Sequence, residues 1–120
     1  MNSRQRPKDL LIELTRLSGV NAATLIGVDG FIIESISNND IDLDALGAVA
    51  STAFGSSQIM GSEMLLGGLQ QTIFEYGTGK ILFAACGSEA ILALVTNNNA
   101  VIGNLRHYMM KIIGELARVI

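Results

Sequence analysis

Four groups of residues in this 120-residue chain have the types that chemistry requires. Tyr76-Gly77-Thr78-Gly79-Lys80 sets glycines before a lysine, as a phosphate-cradling loop does. That loop needs another Gly five positions before the Gly-Lys pair and a Ser or Thr after it. Phe74 and Ile81 occupy those places. Both flanks also read as strands, so no helix N-terminus would face a phosphate. The segment is expected to be a hairpin turn. Asp40, Asp42 and Asp44 alternate as at the start of a calcium loop, but Ala45 replaces the turn glycine and Ser51 the bidentate Glu. Acids there fit the start of a helix, where they accept from free N–H groups and oppose the positive end of the dipole. His107 is expected on the solvent side of a helix without a nucleophile beside it. Cys86 ends an apolar strand and is expected to behave as a small core hydrophobe. One His and one Cys leave a zinc site short of ligands. No set meets the nucleophile, base and oxyanion requirements together. The expectation is a chain that is not an enzyme and holds neither cofactor nor metal.

The elements that position these residues follow from composition and period. Apolar residues make up 49% of the chain and charged residues 16%, with mean hydropathy +0.43, a balance that excludes disorder. A net charge of −3 gives no basic excess for nucleic acid. No apolar run is long enough to enter a membrane as a span, and no secretory signal precedes the first helix, so a cytoplasmic location is expected. Residues 1–7 read as a flexible basic arm ahead of a single domain covering 1–120. Pro7 suits a helix start, and Leu10, Leu11, Leu14 and Leu17 recur at helical spacing up to Gly19. Ala22 to Val28 and Phe31 to Ile36 flank Asp29-Gly30, a strong hairpin signal. A long helix is expected from Asp42 to Leu66, stopped by Gly67-Gly68, with Leu43, Leu46, Ala50, Ala53, Phe54, Met64 and Leu65 on its core side. Strands Leu69–Tyr76, Lys80–Cys86 and Glu89–Thr96 follow, then a helix from Val101 to Val119. The last two strands are apolar on both alternations, so both faces of the sheet centre must be covered. The fold class is α/β, a three-layer α/β/α sandwich with an antiparallel sheet.

One surface asks for a partner. Across the long helix only Asp42, Asp44 and Glu63 are charged. A helix lying on a sheet in a monomer turns a charged face to water. Here the face opposite the core stripe carries Ala48, Ser51, Thr52, Gly55, Gln58, Ile59 and Ser62. Gly47, Gly55 and Gly61 each cost about 1 kcal/mol of helix stability, a loss that tertiary or quaternary packing must offset. The strand from Leu69 to Tyr76 is more polar than those after it, which suits an edge open to strand addition. Together these predict a homodimer built on the long helix and this strand.

The chain also resembles the roadblock/dynein light-chain superfamily, and within it the small prokaryotic MglB-like members. The resemblance rests on Leu14-x-x-Leu17-x-Gly19-Val20, Ala22 to Ile26, Val28 to Ser35, Gly67 to Glu75, Ile91 to Val95 and Ile102 to Arg106. It implies a five-stranded antiparallel sheet with the long helix on one face and two terminal helices on the other. It also implies a non-catalytic homodimeric interaction module that regulates or scaffolds a Ras-like small GTPase. On that reading the dimer interface uses Ala48, Thr52, Gly55, Ile59, Thr72 and Phe74. Ser51, Gln58 and Ser62 would meet the partner. Alternatives are a structural adaptor that heterodimerises with a roadblock paralogue, or a small-molecule sensor domain. The sensor is disfavoured by the lack of convergent polar groups.

Overall fold

The computed structural model describes residues 6–38 and 40–120. Of the expected basic arm, residues 1–5 lie outside the described residues. Arg6 caps the first helix, α1 (Pro7–Thr15), and its backbone N–H and guanidinium both donate to the Asp9 carboxylate. Pro7 opens the helix because its ring fixes φ where a helical N–H has no partner anyway. Leu10, Leu11 and Leu14 form the buried stripe.

The β1–β2 hairpin (Val20–Gly27 and Ile32–Ser37) turns at Asp29-Gly30, as its composition predicts. Gly30 takes φ +93°, and the Asp29 carboxylate accepts from the Phe31 N–H at 3.1 Å. After it come α2 (Leu43–Glu63), β3 (Gln71–Tyr76), β4 (Gly79–Cys86), β5 (Ala90–Asn97) and α3 (Ile102–Val119). Asp42 is the N-cap of α2, accepting from the Ala45 N–H at 3.0 Å, and Asp44 sits in the first turn, so two of the three acids serve the helix start as expected. The glycine-lysine segment is the two-residue turn between β3 and β4, with Tyr76 paired to Gly79.

All five strands pair antiparallel in the order β2-β1-β5-β4-β3. Alternation then sorts the side chains into two cores. Ala23, Leu25, Leu82, Ala84, Leu92 and Leu94 face α1 and α3. Ile26, Phe83, Ile91 and Ala93 face α2, which contributes Ala50 and Phe54. The sheet centre is therefore covered on both sides, which explains its unbroken apolar strands. A buried Leu in the first core, or a buried Ile or Phe in the second, stabilises the fold by about 1.5–3 kcal/mol. Buried hydroxyls are satisfied: Thr24 Oγ1 lies 3.1 Å from Ser35 Oγ, and Thr96 Oγ1 donates to the Lys80 carbonyl.

Two expectations about the long helix fail. It ends at Glu63, ahead of Gly67-Gly68. The Leu65 N–H donates to the Ser62 carbonyl and the Leu66 N–H to the Gly61 carbonyl, which closes the helix with Leu65 in the left-handed region at φ +59°. Met64 and Leu65 also leave the core stripe. They lie beyond the last helical turn, and Leu65 is 92% exposed. The fully buried stripe runs through Gly47, Ala50 and Phe54 and goes no further along the helix. The third strand likewise starts at Gln71, later than the expected Leu69.

Candidate interaction surface

Packing of α2 on the sheet depends on Gly47. A Cβ there would collide with the Gly30 carbonyl of the first hairpin, so the glycine allows a close helix–turn approach. Its helix cost is met within the protomer. Gly55 differs, since a Cβ there would find no atom within 4 Å. The same fold thus explains one helical glycine and leaves the other unexplained inside a single chain.

Around Gly55 the outer side of α2 holds most of the residues expected at a dimer seam. Ala48, Thr52 and Ile59 are exposed and Gly55 is partly so. Thr52 Oγ1 and Ser51 Oγ both donate to the Ala48 carbonyl at 3.1 Å. Their hydroxyl protons are thereby spent on the helix itself, and the outer surface is less polar than its sequence suggests. No charge interrupts it between Asp44 and Glu63. Its largest apolar members face solvent: Val49 and Ile59 are each 65% exposed, Met60 63% and, just past the helix, Leu66 77%. Ile59 was expected at the seam, whereas Val49 and Leu66 were not singled out. Helical spacing places Val49 and Met60 on the outer side once Gly47, Ala50 and Phe54 fix the inner one, so the signal was present.

The residues expected to meet a partner divide by role. Ser51 is partly buried and lies beside Gly30 at the hairpin. Gln58 is exposed, but its side-chain carbonyl accepts from the Leu69 N–H at 2.7 Å, tying the connection to β3 back onto the helix. Ser62 is exposed and, with Gln58, Ile59, Leu65, Gly67 and Gly68, lines a hollow of about 620 Å³.

Strand β3 lies at the sheet edge, as its polarity predicts, and one side of its backbone has no neighbouring strand. Thr72 pairs with Phe83 and Phe74 with Ile81, which puts both on the α2 face. Phe74 is partly buried and meets Phe83 edge-on, ring centres 5.4 Å apart. It therefore anchors the edge strand to the core while exposing part of its ring. Gln71, on the opposite face, accepts from Arg106 Nε at 3.0 Å and donates to Met110 Sδ, which links β3 to α3.

Cys86 is fully buried, and burial pushes its thiol up to about 11, so it is neutral near pH 7 and not a nucleophile. His107 is exposed on α3 with its ring edge against Tyr108. Among the described residues no three His, Cys, Asp or Glu side chains group to hold a metal. Nor is any helix among them long and apolar enough to cross a membrane.

The model of the Roadblock/LC7 domain matches residues 8–96. Protein MJ0714 of Methanocaldococcus jannaschii is 37% identical over 102 residues, which cover 85% of this chain and 86% of that protein. The gliding protein MglB of Thermus thermophilus superposes with a TM-score of 0.89 at 20% identity, covering 99% of this chain and 93% of that one. MglB of Myxococcus xanthus gives 0.88 at 17% identity, covering 94% and 93%. At such identities the structural matches establish the fold.

Proposed function

The chain belongs to the Roadblock/LC7 family, and from that membership we propose that it is a cytoplasmic homodimeric interaction module for a Ras-like small GTPase. It acts by binding and supplies no catalytic residue of its own. One observation carries the reading: the outer side of α2 carries no charge between Asp44 and Glu63, and the connection that Gln58 ties to this helix leads into β3, a sheet edge with one side unpaired. Ala48, Thr52, Gly55 and Ile59 form the helical part of the seam, and Thr72 and Phe74 the strand part. Two β3 edges pair antiparallel about a two-fold axis normal to the sheet, because that operator reverses strand direction and keeps the faces. Both α2 helices then share one face of a continuous sheet. Small side chains at Ala48 and Gly55 let them approach closely, and the internally bonded hydroxyl of Thr52 leaves no donor to strand in a dry contact.

The GTPase meets the paired helices through Ser51, Gln58 and Ser62, beside the hollow at the end of α2. Support for a GTPase partner comes from the family resemblance and from likeness in fold to MglB proteins. Two measurements test the proposal. Sedimentation at micromolar concentration should give a dimer that Gly55→Arg dissociates. Pull-down with GTP- and GDP-loaded Ras-like GTPases of the source cell should show nucleotide-dependent capture. A monomer unaffected by Gly55→Arg defeats the assembly, and no capture in either state defeats the partner. A dimer formed only with a co-purifying paralogue would favour the heterodimeric adaptor.

A further inference from the structure

Acids and bases divide unevenly across the sheet. The chain carries eleven acids and eight bases, all but Arg4 among the described residues. Every described base sits on α1 or its caps, on α3, or at Lys80. Lys80 pairs with Glu75 and alternates with Leu82 and Ala84, so both lie on the α1/α3 face. Glu34, paired with Leu25, lies there too, as does Glu89 at the hollow beside Pro7. With Asp9, Glu13 and Glu115 on the helices, that face is close to neutral. The other five acids, Asp29, Asp40, Asp42, Asp44 and Glu63, lie at the hairpin turn that packs on Gly47 and at the two ends of α2. No base among the described residues accompanies them.

These five carboxylates are open to a partner. All are exposed, and among the described residues no ion pair engages them. The bases of α1 and α3 lie two packing distances away, each about 10 Å, which exceeds the Debye length of about 8 Å at physiological salt. Between the acidic ends the helix side is uncharged, and its last turn carries an apolar knob. Ile59, Met60, Met64, Leu65 and Leu66 are all exposed. A patch of this kind marks an interaction site, and unbranched methionines adapt to the surface they meet. Leu65 also keeps a left-handed backbone that costs a leucine energy, a strain that gathers at functional positions.

We infer that the α2 side docks a protein surface that is basic around an apolar centre, with Asp44 and Glu63 among its lysines or arginines and Met60, Met64 and Leu66 against its apolar part. The inference rests on the proposed reading that a partner meets the α2 pair, and it adds the chemistry of that partner. A two-fold axis normal to the sheet leaves both α2 helices on one side and runs them antiparallel. The dimer therefore doubles the acids on that side and brings in no described base. An acidic protein, a nucleic acid or an anionic lipid meets only repulsion there. A basic surface is steered to it, and faster at low salt. Exposed carboxylates then set the rate and the choice of partner, while the apolar knob supplies most of the hold.

Fluorescence anisotropy tests the inference on the full-length protein, with a labelled Leu/Lys amphipathic helix peptide and its Leu/Glu counterpart of equal length. The Leu/Lys peptide should bind, more weakly as salt rises, and the Leu/Glu peptide should not. Asp44→Asn with Glu63→Gln should weaken binding about 1.5- to 5-fold per acid removed. Glu75→Gln with Glu89→Gln makes the same charge change across the sheet and should leave it unaltered. Circular dichroism should be unchanged in both, since all four side chains are exposed. No binding of the Leu/Lys peptide overturns the inference, and so does equal binding of the two peptides or equal loss in the two double variants. A Leu66→Ser protein that loses association with its own copy while binding the peptide as before assigns the knob to the second copy and overturns its docking role. Binding of the Leu/Lys peptide through Asp44 and Glu63 without capture of any GTPase keeps the basic partner and removes the GTPase. Capture of a GTPase that is indifferent to salt and to Asp44→Asn with Glu63→Gln keeps the GTPase and overturns the inference, so the two readings fail separately.

Discussion

Gly47 and Gly55 sit two turns apart on α2 and make a paired test of what covers that helix. Replacing Gly by Ala inside a helix gains about 1 kcal/mol where the added methyl has room. At Gly55 the methyl meets nothing within 4 Å in the protomer. For an isolated chain of this size, Gly55→Ala should therefore raise Tm by about 4 °C. In the proposed dimer each copy adds a methyl to a close helix contact, and overpacking costs about 1–3 kcal/mol. Association should then weaken by about tenfold or more. The two effects oppose each other, so the sign depends on concentration: more stable than wild type when dilute, less stable when concentrated. Gly47→Ala behaves differently. Its methyl meets the Gly30 carbonyl, a backbone atom that cannot swing aside, and the loss should be about 1–3 kcal/mol at every concentration. Thermal unfolding over a hundredfold dilution range, with sedimentation equilibrium, reads both. A Gly55→Ala protein that is more stable by the same amount throughout, with unchanged association, refutes the seam. A Gly47→Ala protein as stable as wild type refutes the account of helix–hairpin packing.

Three further outcomes follow from single side chains. Leu65→Gly should stabilise the dilute protomer by about 1 kcal/mol in denaturant titration, because a left-handed backbone costs a leucine what it does not cost glycine; the same variant should lose association if Leu65 is covered in the assembly. Asp42→Ala should cost about 1 kcal/mol through the lost bond to the Ala45 N–H, measured the same way near pH 7. The Cys86 thiol has a folded value, about 11, above its unfolded value of about 8.5, so the neutral form favours the fold. Its contribution is complete below about pH 8.5 and is lost as pH rises toward about 11, a fall on the order of 3 kcal/mol. Denaturant titrations across that window should lose this pH dependence in Cys86→Ala, whatever its absolute stability.

Much of this architecture was legible in the residues. Asp29-Gly30 and Gly77-Thr78 fixed two hairpins because left-handed or tight turns admit few residue types. The two doubly apolar strands demanded cover on both faces and received it. The end of α2 was less legible. A Gly-Gly pair is the usual stop, yet the helix closes earlier on a leucine, and helical spacing extended past that point wrongly assigned Met64 and Leu65 to the core. The candidate surface was legible in outline, since an uncharged helix flank is a composition signal. Its chemistry was not. That Ser51 and Thr52 bond their own helix, and that Gln58 fastens the following connection, depends on rotamers and on a loop path that spacing does not encode. The role of Gly47 was equally hidden, because it depends on a hairpin carbonyl seventeen residues upstream.

The position of β5 has a consequence for synthesis. It is the last strand made, yet it lies in the middle of the sheet, between β1 and β4. Until it emerges from the ribosome, the nascent chain holds two separate hairpins, each with an apolar strand whose inner edge has no mate. Closure joins Val20 to Thr96, 76 residues apart in a chain of 120, so completing the sheet depends on a long-range contact. Newly made chains are therefore most prone to aggregate just before completion, and premature termination ahead of residue 90 leaves no sheet to rescue.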